Sequence, residues 1–362
     1  MSGYFLIVPS LPFPIRRLLL LSRGAVTNRN QPRIDRLRSI TCPEPFLWAV
    51  LPHAARSFAP SILLLPEAAA RQAAVGYLYA RMLDTYEDLS ATPEEAQQAL
   101  AGFAARFESK VPGPAPASPT PDSIDARDET HLLLIDRHHL VDEVFLELAP
   151  ESRSRIVGLV RDMASGMSQF SKTFAQQGGV LNEEQQVLDY CHSVIGLPAI
   201  FVMQLLLGDV VDDHQQDAYE VSELIQLANI TRDVEKDLRR GIAYHPTLKP
   251  FLRVASTPEV EVAINDARRD LMLLATRRAG AFRRLINQVA LPRFSTARAA
   301  AVLMMLVTDR HYRRCAAVVG VPTWSGPGRM ATMVLTCLPA LFSSAWTSRI
   351  LLRVERDLLA AA

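Results

Sequence analysis

Residues 61–89 read SILLLPEAAARQAAVGYLYARMLDTYEDL. Ala, Leu, Arg and Glu dominate, and the apolar residues recur at helical spacing, which predicts a long α-helix. The same pattern returns in RIVGLVRDMASGMSQFSKTF (155–174), VLDYCHSVIGLPAIFVMQLLLGDV (187–210), YEVSELIQLANITRDVEKDLRR (219–240) and VEVAINDARRDLMLLATRRAGAFRRLINQVA (260–290). Alternating β patterns are scarce and no internal repeat is evident. The expectation is an all-α fold, with one helical domain over residues 45–325.

Outward from this body the composition changes. The first 44 residues form an arginine-rich extension, with seven arginines and one acid, Asp35, in the first 40. Pro9, Pro12 and Pro14 interrupt any early helix there. Targeting peptides share this composition, but a flexible extension touching a membrane surface fits it as well. KVPGPAPASPTPDSIDARDE (110–129) cannot bury a core and reads as a surface loop. In the last segment, 326–362, residues 330–348 carry no charge between Arg329 and Arg349. That is the length of a marginal spanning helix, but Pro339 and several hydroxyl residues favour a buried or interfacial one.

Composition excludes several classes. The 362 residues are 49% hydrophobic and 21% charged, too apolar for disorder over most of the chain. A net charge of +1 argues against a nucleic-acid binder that neutralises phosphates along its surface. Cys42, Cys191, Cys315 and Cys337 are widely spaced, so neither structural zinc nor a disulfide framework is expected.

The chemistry concentrates in two stretches. In LYARMLDTYEDL (78–89), Asp84 and Asp88 stand at i and i+4 with Glu87 beside them. In QLANITRDVEKDLRRG (226–241), Asn229, Asp233 and Asp237 stand at i, i+4 and i+8. Helical geometry puts each set on one face. Like charges at that spacing repel by about 0.2–0.5 kcal/mol per pair even in water. Their apolar context predicts a cleft, where a cation must neutralise them. Oxygen ligands without His or Cys suit a hard cation, and Mg2+ completes its shell with water and substrate phosphate oxygens. Arg81 and Arg232 sit where they could meet the phosphates. A di-iron bundle would need Glu-x-x-His pairs, which neither stretch supplies. Two acidic helices facing each other would thus hold a polyphosphate. Diphosphate leaving an allylic carbon creates a carbocation that needs a dry pocket. Phe58, Tyr77, Tyr86, Met167, Phe170 and Tyr190 could stabilise it.

RSFAPSILLLP (56–66), YLYARMLDTYEDL (77–89), DYCHSVIGLPA (189–199) and NITRDVEKDLRRGIAYHP (229–246) together resemble the squalene and phytoene synthases. The four motifs occur in that family's order. The resemblance implies an isoprenoid synthase domain around a central cavity. Two farnesyl diphosphates would join head to head through presqualene diphosphate to give squalene. Asp84, Glu87, Asp88, Asn229, Asp233 and Asp237 would hold Mg2+, with Asp84, Asp88, Asp233 and Asp237 essential to catalysis. Arg56, Ser57, Phe58, Tyr77, Arg81, Gln226, Asn229 and Arg232 would line the substrate site, and Tyr190 matches the catalytic tyrosine. Squalene also requires NADPH, for which the family's reducing members carry a late basic cluster. Here AAVVGVPTWSGPGRM (316–330) has only Arg329. Phytoene or dehydrosqualene synthesis without reduction is therefore the second reading, followed by a non-catalytic relative or a class I terpene cyclase. A cytoplasmic protein peripheral to a membrane, monomeric or weakly dimeric, is expected.

Overall fold

A computed structural model describes residues 13–26, 32–56, 58–121, 124–208 and 212–360. In chain order its helices are α1 (Phe13–Val26), α2 (Ile34–Arg38), α3 (Pro43–Ala54), α4 (Ala59–Leu64), α5 (Glu67–Leu89), α6 (Pro93–Ala105), α7 (Ala126–Asp136), α8 (His138–Leu146) and α9 (Pro150–Gln177). They continue as α10 (Glu184–Cys191), α11 (Leu197–Leu207), α12 (Asp212–Arg240), α13 (Pro258–Thr276), α14 (Ala281–Gln288), α15 (Thr296–Val318), α16 (Met330–Cys337) and α17 (Ser344–Ala360). A π turn, His192–Gly196, links α10 to α11. The fold is all-α, as the spacing predicts; among the described residues the one β feature is a single bridge. The chain divides into two compact units, Met1–Ser171 with Phe201–Gly208, and Lys172–Ile200 with Asp209–Ala362.

In the first unit α5 is central and packs against α3, α6, α7 and α8. Tyr79 of α5 meets the edges of Phe103, Phe107 and Phe145 at centroid distances of 5.9, 5.2 and 5.9 Å. Its hydroxyl donates to Asp142 at 2.7 Å, and the Arg106 guanidinium satisfies the other carboxylate oxygen. The buried carboxylate is tolerable here because both of its oxygens are paired. The proline-rich loop is pinned more firmly than its composition suggests. Arg106 Nε donates to Gly113 O at 2.8 Å, and Tyr86 Oη donates to Pro116 O at 2.7 Å. Prolines carry no N–H, so such a loop can lie on a core with few donors left unsatisfied.

The arginine-rich start is partly structured. The helix α1 begins at Phe13, so Pro14, the last of the early prolines, falls in its first turn, where a missing N–H costs nothing. It packs on α4, and Arg17 donates to Leu65 O at 2.6 Å. Arg16 lies 3.6 Å from both Glu44 and Glu67. Residues 1–12 lie outside the described residues.

In the second unit α12 packs against the π turn, α13, α14 and α15. Its end is capped at Gly241, whose φ of 82° is left-handed, and Ile242 N donates to Asp237 O at 2.9 Å. Ala243 N then donates to Gly179 O, and Leu181 N donates to Ala243 O, at 2.9 and 3.1 Å. A Cβ on Gly179 would stand 2.3 Å from Gly241 O, so this crossing requires glycine. Val180, Val234, Leu238, Ala243, Leu248 and Ile264 close the core around it.

The uncharged stretch 330–348 is not one helix. It breaks into α16, a 3-10 turn at Leu338–Leu341 containing Pro339, and the start of α17; α16 and α17 both pack on α15. A single spanning helix there is thereby excluded. Glu184–Leu207 is long and apolar enough to cross a membrane by length and composition only, and 33% of its most apolar window is buried.

Candidate active site

The sequence of α5 places Tyr77, Arg81, Asp84 and Asp88 at successive helical turns on one face. Phe58, at the start of α4, reaches the same face, its ring 5.8 Å from that of Tyr77. Arg81 Nη2 donates to Tyr77 Oη at 2.9 Å, and Arg81 Nη1 lies 3.0 Å from Asp84. Arg56 adopts a left-handed φ of 46° in the turn before α4. Non-glycine residues in that region are uncommon and concentrate at functional turns. Ser57 lies outside the described residues. Asp84 and Glu87 are partly buried and Asp88 is exposed. Burial raises the Asp84 carboxyl to about 6, with Arg81 opposing and Asp88 adding to the rise. Burial, then Asp88 and Asp84, pushes Glu87 well above the usual carboxylate range.

On α12 the row is held differently. Asn229 Nδ2 donates to Gln226 Oε1 at 3.1 Å, and Arg232 Nη1 donates to Asn229 Oδ1 at 3.1 Å. Arg232 also grips both oxygens of Asp233, Nε donating at 2.7 Å and Nη2 making the second bond. Burial lowers the Arg232 pKa, but the Asp233 bond and charge outweigh it, so the guanidinium is held firmly charged. Asp237 stands one turn further, at the capped helix end.

Tyr190 is buried at the end of α10, its ring 6.1 Å from Phe174 and 5.1 Å from Tyr244. Neither partner was singled out as a site residue. Tyr244 belongs to the quoted 229–246 motif but is brought here only by the Gly179–Ala243 crossing. A second feature that sequence reasoning missed is the π turn, a distortion frequent at functional sites. Its first residue, His192, stacks on Tyr219 at 4.4 Å and meets Glu223 Oε1 through Nε2 at 2.6 Å. Arg278 Nε donates to the other oxygen of Glu223. The 31-residue separation of His192 and Glu223 carries no local signal.

Two candidates for cation stabilisation are core residues instead. Tyr86 is fully buried with its hydroxyl committed to Pro116, and Met167 is fully buried within α9. Both lie on the core-facing side of their helices. The stretch 316–330 is tied to α15: Trp324 Nε1 donates to Asp309 at 2.7 Å, and Arg313 donates to the carbonyls of Gly326 and Pro327 at 3.1 and 2.8 Å.

Among the described residues no three His, Cys, Asp or Glu side chains converge as a ready-made metal cage. The carboxylates instead stand in rows, which suits Mg2+, a cation that uses one or two carboxylates and leaves other positions to water and phosphate. Burial, with the neighbouring acids adding to it, raises the Asp84 and Glu87 carboxyls, and an all-oxygen donor set fits a hard dication.

The chain matches the squalene/phytoene synthase family profile over residues 51–326. It is 28% identical over 201 residues to Squalene synthase LSS of Botryococcus braunii, covering 53% of this chain and 40% of that protein. To Squalene synthase 1 of Arabidopsis thaliana it is 27% identical over 207 residues, covering 54% and 46%. The matched region thus spans less than half the length of these curated relatives. In structure it is similar to TcSQS in complex with the ligand BPH1237, with a TM-score of 0.67 and 17% identity over 91% of this chain and 92% of that one. A dehydrosqualene synthase in complex with a ligand gives 0.51 and 14% identity over 90% and 99%. These structural likenesses establish the isoprenoid-synthase type of helical fold. With the profile covering most of its length, the chain belongs to the squalene/phytoene synthase family, a family of prenyltransferase enzymes.

Proposed function

We propose that this protein is a Mg2+-dependent prenyltransferase that joins two farnesyl diphosphates head to head, through presqualene diphosphate, to squalene. The observation that carries this reading is the pair of carboxylate rows, each in hydrogen-bonded register with its own arginine. Asp84, Glu87 and Asp88, and Asn229, Asp233 and Asp237, would hold the metal. Bound Mg2+ supplies the charge that stabilises diphosphate as a leaving group. Arg81 and Arg232 bind diphosphate oxygens, and Arg56 and Ser57 add contacts. Gln226 orients Asn229 through their hydrogen bond. Phe58 and Tyr77 present ring faces to the prenyl chain. Tyr190, among aromatic neighbours and away from bulk water, holds a proton at its hydroxyl that it can pass to the departing diphosphate.

One observation favours dehydrosqualene or phytoene synthesis as a second reading. In residues 316–330 Arg329 is the only basic side chain, a poor fit to the phosphates of NADPH. The test is product analysis with C15 and C20 diphosphates and Mg2+, with and without NADPH. Squalene formed only with NADPH supports the first reading. A C30 or C40 polyene formed without NADPH supports the second, and no condensation product from any pairing overturns both.

Contact with an anionic bilayer surface belongs to the same proposal. Phe294, Leu335, Leu338 and Phe342 are 55%, 65%, 41% and 67% exposed, and the two phenylalanine rings lie 5.3 Å apart. Buried Arg298 ties their segments together, donating to Pro292 O at 2.8 Å and Ala340 O at 3.3 Å. Residues 285–308 and 330–354 contain no acid, and Arg293 and Arg349 are exposed. A rigid apolar tip with a cationic rim complements anionic headgroups. The full chain should sediment with phosphatidylserine vesicles, and a Phe294→Ser/Phe342→Ser variant should not. Equal sedimentation of both, or a concentration-dependent dimer that the double variant abolishes without any vesicle binding, would overturn this contact.

A further inference from the structure

The second unit holds a buried imidazole that the roles above leave unused. His311 of α15 is 7% exposed, and neither ring nitrogen has a hydrogen-bond partner. Buried polar groups are nearly always satisfied, and an apolar side chain of similar volume would avoid the cost of leaving two nitrogens bare. Packing alone therefore does not explain a histidine here.

Its surroundings point to what is missing. The register of α15 on α12 is set by Tyr312 Oη donating to Leu224 O at 2.7 Å and by Cys315 Sγ lying 3.6 Å from Thr231 Oγ1. That register brings His311 within electrostatic reach of Arg232 and Asp233, while Arg310 and Arg314 flank it on its own helix. Arginines therefore outnumber carboxylates around an unpartnered, buried imidazole, which favours an anion as its missing partner. Burial, followed by the three arginines and opposed by Asp233, pushes the imidazole pKa down to about 3. The ring is thus neutral at physiological pH and offers one N–H donor and one acceptor.

We propose that His311 is a diphosphate-binding residue, donating a ring N–H to a phosphate oxygen that Arg232 also contacts. This rests on the reading of α12 as a metal-diphosphate site. A cation held by Asp233 would take over that carboxylate and leave Arg232 available to the anion. The imidazole beside it then gains the acceptor it lacks in the free protein. One group, a metal-bound diphosphate, thereby satisfies the carboxylate, the guanidinium and the imidazole together.

The probe is inorganic pyrophosphate with Mg2+, titrated calorimetrically into the full chain. His311→Phe fills the space without a donor and should weaken binding about tenfold, the scale of one hydrogen bond to a charged group. His311→Gln keeps an N–H and should stay within about threefold of wild type. With prenyl diphosphates the Phe variant should raise KM more than it lowers kcat. If His311→Phe fails to fold by circular dichroism, His311→Met against His311→Gln makes the same comparison. Pyrophosphate affinity unchanged in a folded donor-free variant, or no pyrophosphate binding by wild type, overturns the assignment. A wild-type protein that forms no condensation product, yet binds pyrophosphate in a His311-dependent way, would overturn the reaction and leave this site standing.

Discussion

The two acidic rows are alike in sequence and opposite in electrostatic state. On α5, Arg81 divides its guanidinium between the Tyr77 hydroxyl and Asp84, while Asp88 stands as a like charge one turn on. Burial and mutual repulsion push Asp84 and Glu87 upward. On α12, Arg232 clasps Asp233 with two nitrogens and reaches Asn229 with a third. The first row is raised chiefly by burial, and a dication held there would favour the ionised carboxylates. In the second, Asp233 is already paired, so a cation bound there would compete with Arg232 and would leave that arginine available to phosphate. Equal numbers of ligands therefore do not imply equal roles. On the proposed reading, the α5 row would supply metal affinity and the α12 row would couple metal binding to diphosphate binding.

The largest expected effect should not separate the rows. Asp84→Asn and Asp233→Asn should each cut product formation about a thousandfold, the scale of losing a principal electrostatic contact in a transition state. Near-wild-type turnover in either variant would remove that row from the reaction. Their stabilities should diverge: Asp84→Asn should hold or raise the melting temperature, whereas Asp233→Asn should lower it by a few degrees because Arg232 loses its partner.

Next in size is Gly179→Ala. Its Cβ would collide with Gly241 O at the cap of α12, costing about 2–3 kcal/mol by chemical denaturation. The damage should fall on the second unit, leaving the Asp84-linked pH response intact.

That response is the sharper test. The folded Asp84 carboxyl, at about 6 against an ordinary 3.8, holds its proton more tightly than the unfolded one. Metal-free stability should therefore fall as pH rises from about 4 through 6, and Mg2+ should reverse the fall. Thermal melts of wild type and Asp84→Asn across this range read it directly; parallel curves would refute this account of the first row.

Glu223 should show the contrary slope, with the smallest amplitude. Burial pushes its carboxyl up, but the bonds from His192 and Arg278 outweigh this and leave it below the usual value of 4.5. Its stabilisation is present at neutral pH and disappears as pH falls below 4.5. Glu223→Gln should cost about 1–2 kcal/mol at pH 7, with the gap closing toward pH 3. A gap independent of pH would show that the carboxylate charge contributes nothing.

Much of this was legible along the chain because it is local. Helical spacing needs only neighbours within a turn, so α5, α9, α12 and α13 could be read directly, as could the shared face of Asp84 and Asp88 and the Arg232–Asp233 adjacency. The non-local features were not. Sequence spacing did not distinguish Tyr86 from Tyr77, because which side of α5 faces the core depends on Phe103 and Pro116. The break in residues 330–348 and the pairing of Phe294 with Phe342 depend on carbonyls that Arg298 collects from two distant segments. Tyr244 joins Tyr190 only through a glycine crossing 62–64 residues apart in sequence.

Sequence alone determined that this chain is helical, carries two carboxylate rows suited to a hard cation, and has the motifs of its family. Tertiary structure alone decided which carboxyls burial raises, which tyrosines are core, and that a buried histidine within electrostatic reach of Arg232 lacks a hydrogen-bond partner. The reason is one of range: backbone hydrogen bonding and side-chain periodicity act over a few residues, whereas desolvation and charge balance are set by whatever distant segments pack against a group.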